Sequence, residues 1–158
     1  MDMEYSKMGF GRAWMWSLCC LPWRRRTDAV RDDWAGEWHY AYVFKVYDGD
    51  TITVDVHRHG RWVRQSIRLA GIDTPELRTS DAHEKALAET ARAALSDAIL
   101  NKQVWLYCTG REKYGRILGE IYPTTWCRSH AATSYNAWLL EQGHAKPYHG
   151  GKKDGWTP

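Results

Sequence analysis

The chain has 158 residues, of which Lys and Arg account for 22 and Asp and Glu for 19, so the formal net charge is +3. Ten tryptophans and nine tyrosines supply large apolar groups, and together with the low net charge they exclude an intrinsically disordered chain. No apolar run approaches the roughly 20 residues that span a bilayer, and the length is that of one ordinary domain.

Residues 1–36 form an N-terminal arm that differs from the rest of the chain. Residues 13–23 read AWMWSLCCLPW, and three arginines follow them. Three interpretations stay open: an arm that docks on this domain or on a partner protein, an anchor whose Trp and Arg side chains lie at lipid headgroups, and a cleaved secretory signal. Contact of residues 13–26 with a membrane or a protein is therefore one expectation.

Three antiparallel strands are predicted after the arm. Residues 40–47 are rich in aromatic and β-branched side chains, residues 51–57 alternate between polar and apolar, and residues 63–70 alternate again. Turn-forming residues separate them, DGD at 48–50 and HG at 59–60. A meander of three strands is the simplest arrangement.

A helix is predicted next. Asp81 and Glu84 form a capping-box pattern at its start, with aspartate in place of the usual Ser or Thr. Its apolar stripe at helical spacing consists of Leu87, Ala91, Leu95 and Ala98.

Two further strands and a short helix complete the predicted domain. The strands are expected at 103–109 and 117–122, a loop at 124–134, and a helix at 137–142 that Gly143 ends. Five strands with a helix between the third and the fourth are the layout of an OB-fold β-barrel, a mainly β fold with helices (α+β). The barrel domain is predicted to cover residues 37–149, followed by a flexible tail at 150–158.

Four short segments concentrate charge where the apolar pattern pauses. They are Asp48-Gly49-Asp50-Thr51, the stretch from Arg68 to Glu76, Lys113-Tyr114-Gly115-Arg116, and the stretch from Gly143 to Tyr148. Each alone is explained as well by a turn or a strand end. Together, Asp50 and Asp73 offer hard oxygen ligands for Ca²⁺ or Mg²⁺. Arg68 and Arg116 offer planar forks that match phosphate oxygens, and Glu76 is placed in sequence to activate a water.

In this order the segments resemble the staphylococcal nuclease (thermonuclease) family, over about two thirds of the chain from Tyr42 to Tyr148. The resemblance implies that Asp50 and Asp73 ligate one Ca²⁺ through carboxylates and Thr74 through its backbone carbonyl, with Asp48 close behind them.

The resemblance also implies roles in handling the substrate. Glu76 would be the general base or position the attacking water, and Arg68 and Arg116 would hold the scissile phosphate. The groups expected to hold a neighbouring phosphate or the nucleotide are Lys113, Tyr114 and Tyr148.

The function implied by the resemblance is a Ca²⁺-dependent nuclease. Such an enzyme hydrolyses DNA, RNA or both with little sequence preference and leaves 3′-phosphate ends. Two alternatives stay open: an OB-fold module that binds nucleic acid without cleaving it, and a tethered protein in which the barrel is a scaffold. The presence of all three acids beside the two arginines favours the enzyme, because a module that only binds nucleic acid would not need the acids. The five charged positions are Asp50, Arg68, Asp73, Glu76 and Arg116.

Overall fold

The computed structural model describes residues 34–125, 133–151 and 155–156. Within them the chain forms, in order, β1 (Trp38–Asp48), β2 (Thr51–Arg58), β3 (Arg61–Leu69), β4 (Ile72–Asp73), α1 (Ala82–Ile99), β5 (Gln103–Arg111), β6 (Ile117–Pro123), α2 (Tyr135–Glu141) and β7 (Lys146–Pro147). Strands β1, β2, β3, β6 and β5 close a barrel in that order. Strands β3 and β6 run parallel and the other four pairs antiparallel. The predicted five-stranded OB-like barrel, with a helix between its third and fourth strands, is confirmed.

Alternation of apolar and polar residues places the core inside the barrel. Ile52, Val54 and Val56 on β2 and Ile67 on β3 are at most 1% exposed, and each lies one position from a polar residue that faces out. Gly119 on β6 lies in a crowded part of this core, because a Cβ at that position would stand 2.7 Å from a side-chain carbon of its neighbour on β5. Larger side chains are therefore excluded there.

The turn between β2 and β3 forms as the sequence predicts. His59 and Gly60 both have positive φ, 50° and 76°. Two residues with positive φ are typical of a type I′ hairpin, whose twist matches that of the strands it joins.

Strand β1 contains two β-bulges that the sequence pattern does not predict. Val43 pairs with Val54 but Lys45 pairs with Thr53, so Phe44 is an extra residue. The same irregularity recurs between Val46 and Asp48, where Tyr47 is extra. Bulges bend a strand and redirect its side chains, and here they lie at the end of β1 that leads into the Asp48–Asp50 turn.

Helix α1 begins at the predicted cap, but only half of the capping box forms. The Asp81 carboxylate accepts a hydrogen bond from the backbone N–H of His83 at 2.8 Å. The Glu84 carboxylate accepts instead from the backbone N–H of Glu76 at 3.2 Å, while the Asp81 N–H donates to the Thr79 hydroxyl. Glu84 therefore connects the loop before α1 to the helix.

The apolar stripe of α1 is rotated slightly from the prediction. Its buried residues are Ala88, Ala91, Leu95 and Ile99. Leu87 and Ala98 are half-buried, because the 3.6-residue period places the centre of the stripe between these neighbours.

Helix α2 starts two residues earlier than predicted. The Ser134 hydroxyl accepts from the Ala137 N–H at 3.1 Å and so caps the helix. Gly143, with φ 73°, follows the helix end as expected. The amide of buried Asn136 donates to the Ala70 carbonyl at 2.9 Å and so pins α2 to the end of β3.

Several predictions concern residues outside the described ranges. They are those for residues 1–33 of the arm, for residues 126–132 of the predicted loop, and for residues 152–154 and 157–158 of the predicted tail. Trp34, predicted as part of the arm, is 3% exposed and packs in the barrel core, where the Arg58 guanidinium lies 4.4 Å from its ring centroid. Among the described residues no helix has the length and apolar character needed to span a membrane.

Candidate active site

Two aspartates and an arginine form a buried cluster. One guanidinium nitrogen of Arg68 lies 2.8 Å from Oδ2 of Asp50, and another lies 3.2 Å from Oδ1 of Asp73. The three residues are 4–9% exposed. Two carboxylates therefore share one guanidinium in a place that solvent barely reaches.

The local fold brings these three side chains together. Thr51 pairs with Arg68 across β2 and β3, and the carbonyl of Asp50 accepts a hydrogen bond from the Leu69 N–H at 2.8 Å. Asp73 is held by the small sheet of β4 and β7, in which it pairs with Lys146. The cluster is therefore built on paired backbone.

The Asp48–Asp50 turn also packs directly on the second predicted segment. The Asp48 carboxylate accepts from the Gly49 N–H at 2.8 Å. A Cβ on Gly49 would lie 3.0 Å from three side-chain atoms of Thr74. Glycine is thus needed for close approach of the two segments, which brings the predicted metal ligands Asp50 and Thr74 to one place.

Arg116 joins the cluster from the start of β6. Its Nη1 donates to the Thr51 hydroxyl at 3.3 Å, and that hydroxyl donates to Oδ1 of Asp50 at 2.9 Å. Its Nε and Nη2 both lie 2.7 Å from Oε2 of Glu112. Arg116 is therefore linked to Asp50 through one hydroxyl and is held in position by Glu112.

A cavity of about 650 Å³ opens at this end of the barrel. Among the predicted site residues, those that line it are Asp48, Asp50, Arg68, Glu76, Lys113, Tyr114, Arg116 and Tyr148. Asp73 and Thr74 do not line it; Asp73 lies behind Arg68, within hydrogen-bond distance of it. The structure thus gathers eight of the ten residues around one cavity and connects Asp73 to it through Arg68.

Glu76 is the exposed acid of the cavity. Its backbone is fixed by the hydrogen bond to Glu84, and the preceding Pro75 is buried and restricts the backbone. Its carboxylate side chain is thus presented to the cavity from a stiff loop.

The donor set suits a hard cation. Asp50 and Asp73 supply carboxylate oxygens, and the buried hydroxyl of Thr74 has no hydrogen-bond partner among the described residues. Oxygen ligands are those that Ca²⁺ and Mg²⁺ take. No cluster of three His, Cys, Asp or Glu side chains placed to hold a metal occurs in the described part of the chain, so these residues supply two carboxylates and leave other positions to backbone oxygen or water.

Six polar or aromatic residues of the cavity have no role predicted from the sequence. They are Lys45, Tyr47, Thr51, Arg78, Arg92 and Glu112. Thr51 and Glu112 had a signal, since one completes the DGDT segment and the other precedes Arg116 by four residues. Sequence alone gave no signal for the remaining four.

Two groups with large pKa shifts lie outside this cavity. Burial raises the pKa of the Cys108 thiol to about 12, so it stays protonated in the core. Burial and the hydrogen bond to Glu120 raise the pKa of Tyr122 to about 12. Neither side chain is in a state to act as a nucleophile or a base near neutral pH.

A family model described as staphylococcal nuclease homologue matches residues 66–155, more than half of the chain. The chain belongs to the staphylococcal nuclease family. The match contains Arg68, Asp73, Glu76 and Arg116, and it begins within β3, after the turn that carries Asp50. The contacts of Asp50 with Arg68 therefore connect this turn to the matched region.

Individual relatives agree with the family match. Micrococcal nuclease of Shigella flexneri is 33% identical over 108 residues, which cover 67% of this chain and 56% of that protein. An uncharacterized endonuclease of Haemophilus influenzae is 29% identical over 106 residues, 67% of this chain and 51% of that protein. A probable endonuclease LCL3 of Phaeosphaeria nodorum is 38% identical over 60 residues, 38% of this chain and 20% of that protein. The chain thus spans about half the length of the two bacterial relatives and a fifth of the third.

Proposed function

We propose that the protein is a Ca²⁺-dependent nuclease that hydrolyses phosphodiester bonds of DNA, RNA or both with little sequence preference and leaves 3′-phosphate ends. The observation that carries the proposal is the convergence of Asp50, Arg68 and Arg116 on one cavity, with Asp73 bound to Arg68. Family membership and the relatives' names support it.

Asp50 and Asp73 would hold one Ca²⁺, with the backbone carbonyl of Thr74 as a further oxygen donor and Asp48 nearby. The bound ion would offset the charge of these carboxylates and polarise the phosphoryl group. One carboxylate oxygen of each aspartate is within 3.2 Å of Arg68, so the guanidinium lies next to the place where the ion would sit.

The chain's own residues account for the rest of the reaction. Glu76 takes a proton from a water, whose oxygen forms a bond to phosphorus. The bond from phosphorus to the 5′ oxygen breaks, and that oxygen takes a proton from solvent. Arg68 and Arg116 stabilise the negative charge that develops on the phosphoryl oxygens. Lys113, Tyr114 and Tyr148 hold the neighbouring nucleotide and its phosphate.

Arg116 must exchange partners for this reaction. Its guanidinium now bonds to Glu112 and Thr51, and a bound phosphodiester would compete with Glu112 for it. Because the side chain is 31% exposed, the exchange requires little rearrangement. Arg116 is thus held in position by Glu112 and Thr51 but stays accessible to a bound phosphodiester.

A module that only binds nucleic acid is the second candidate. Burying two carboxylates around one guanidinium costs desolvation energy that pairing does not fully recover, so such clusters are weak contributors to stability. A binding surface gains nothing from buried negative charge, because its ligand is a polyanion. The buried acids favour the enzyme.

Cleavage of end-labelled single-stranded DNA and RNA tests the proposal. We expect fragments with excess Ca²⁺, none with excess EGTA, and 3′-phosphate ends that phosphatase removes. Cleavage that persists in EGTA would contradict the role of the ion. Binding without cleavage under both conditions would support the module that only binds.

A further inference from the structure

The cavity has an exposed tyrosine, Tyr47, that the proposed mechanism leaves unused. Tyr47, at the end of β1, lines the cavity and is 43% exposed. Lys45 and Arg78 line the same part, with charged groups 5.6 Å and 6.0 Å from the centre of the Tyr47 ring. Aromatic rings flanked by cations are typical of sites where bases of single-stranded nucleic acid stack.

The two bulges of β1 are what place these side chains at the cavity. Before the first bulge, Val43 faces the core and its even-numbered neighbours face out; after it, Lys45 and Tyr47 face out. Without the extra residue at Phe44, regular alternation would direct Lys45 and Tyr47 toward the core. Bulges beside active sites commonly redirect a side chain in this way.

A guanidinium lies in contact with the Phe44 ring, whereas the cations beside the Tyr47 ring stand farther from it. The Arg64 guanidinium lies 3.5 Å from the centre of the Phe44 ring, which is van der Waals contact. The two cations near Tyr47 are more than 2 Å farther away, so a planar base has room on the ring. Neither Lys45 nor Arg78 pairs with a carboxylate among the described residues, which leaves both available to phosphate.

Tyr47 and Tyr114 lie on opposite sides of the reacting groups. Asp48, next to Tyr47, pairs with Thr51, and Thr51 pairs with Arg68, whose partner on β6 follows the turn between β5 and β6. Because β1 pairs with β5 only from Trp38 to Tyr42, the Tyr47 end of β1 and this turn lie on either side of Thr51 and Arg68. That turn holds Tyr114, 74% exposed, with Lys113 4.8 Å from its ring centre. The scissile position is therefore bracketed by two tyrosines, each with cations beside it.

We propose that Tyr47, with Lys45 and Arg78, binds the nucleotide on the side of the scissile phosphate opposite to the one held by Tyr114 and Lys113. The base stacks on Tyr47 and the two cations bind its flanking phosphates; we call these three residues the platform and the base that stacks there the platform-side base. This rests on the proposed function for the position of the scissile phosphate, and it makes an internal linkage, with a nucleotide on each side, the preferred substrate.

Dinucleotides with one internal linkage and a phosphate at each end test this inference. Three are compared: one with both bases, and two in which an abasic sugar replaces one base or the other. We expect Tyr47→Ala to lower kcat/KM for the complete dinucleotide about 5- to 100-fold, the range of base–aromatic stacking, and to have no effect when the platform-side base is missing. Tyr47→Phe should keep the wild-type value, because it keeps the ring.

Tyr42→Ala is the matched control, since Tyr42 is exposed on the same strand and does not line this cavity. For binding of single-stranded DNA of about 20 nucleotides in EGTA, Lys45→Ala and Arg78→Ala should each reduce the slope of log Kd against log salt concentration by about 0.7. Equal loss on all three dinucleotides in Tyr47→Ala, or no loss, would overturn the inference.

Binding of the same dinucleotides in EGTA gives a readout that does not require turnover. The same dependence on the platform-side base is expected in Kd. Suppose that the wild-type protein cleaves none of the dinucleotides, that it binds more weakly when the platform-side base is missing, and that Tyr47→Ala abolishes this difference in Kd. The proposed function then fails and the platform stands. If cleavage occurs and the dependence is absent, the platform alone fails.

Discussion

Replacing Arg116 with alanine is expected to lower kcat about 10²- to 10³-fold, the typical loss when one group that stabilises transition-state charge is removed. Its guanidinium lines the cavity and reaches the Thr51 hydroxyl beside Asp50. Arg116→Lys should recover only a small part of the rate, because an ammonium group lacks the planar fork that matches two phosphate oxygens.

The control for this variant is Arg61→Ala. Arg61 lies at the start of β3, at the hairpin end of the strand, and does not line the cavity. Initial rates on single-stranded DNA with saturating Ca²⁺ make the comparison, and calcium affinity should be nearly unchanged in both variants. A wild-type rate in Arg116→Ala would show that the guanidinium does not act on the transition state.

Glu76→Gln is expected to lower kcat about 10²- to 10⁴-fold, the usual contribution of general acid–base catalysis. The amide keeps the size of the carboxylate but does not take a proton from water. The hydrogen bond that positions Glu76 uses its backbone N–H, so it survives the substitution and the loop should stay in place.

Two measurements separate loss of chemistry from loss of structure in Glu76→Gln. The thermal unfolding midpoint and the Kd for single-stranded DNA in EGTA should both match the wild-type values. Glu89→Gln is the control, because Glu89 is exposed on α1 and outside the cavity. Turnover at the wild-type rate in Glu76→Gln would remove this carboxylate from the mechanism.

The barrel could be predicted from the sequence because its strands are local signals. Alternation in β2 and β3 and the two-residue turn at His59 fix their pairing without knowledge of distant contacts. The bulges of β1 have no such signal. They arise where the closed barrel bends a strand, and as a result the position of Tyr47 on the cavity wall could not be predicted.

The site shows the same division between local and distant contacts. The order of charged segments identified Asp50, Arg68 and Arg116 as a group, and the structure places all three on one cavity. That Arg68 bonds to both aspartates, and that Glu84 anchors Glu76 instead of closing its own capping box, depends on how distant segments pack. Single-sequence patterns do not contain that information.

Calorimetric titration with Ca²⁺ tests most directly whether the buried aspartates hold an ion. The wild-type protein should bind one Ca²⁺, and Asp50→Asn should weaken binding by more than about 10-fold, since even groups that only support metal ligands contribute 10- to 100-fold. Asp55→Asn should leave the affinity unchanged, because Asp55 lies on β2, after the turn that holds Asp50, and pairs with Arg64 outside the cavity. Equal calcium affinity in Asp50→Asn and the wild-type protein, or no binding by either, would contradict the account.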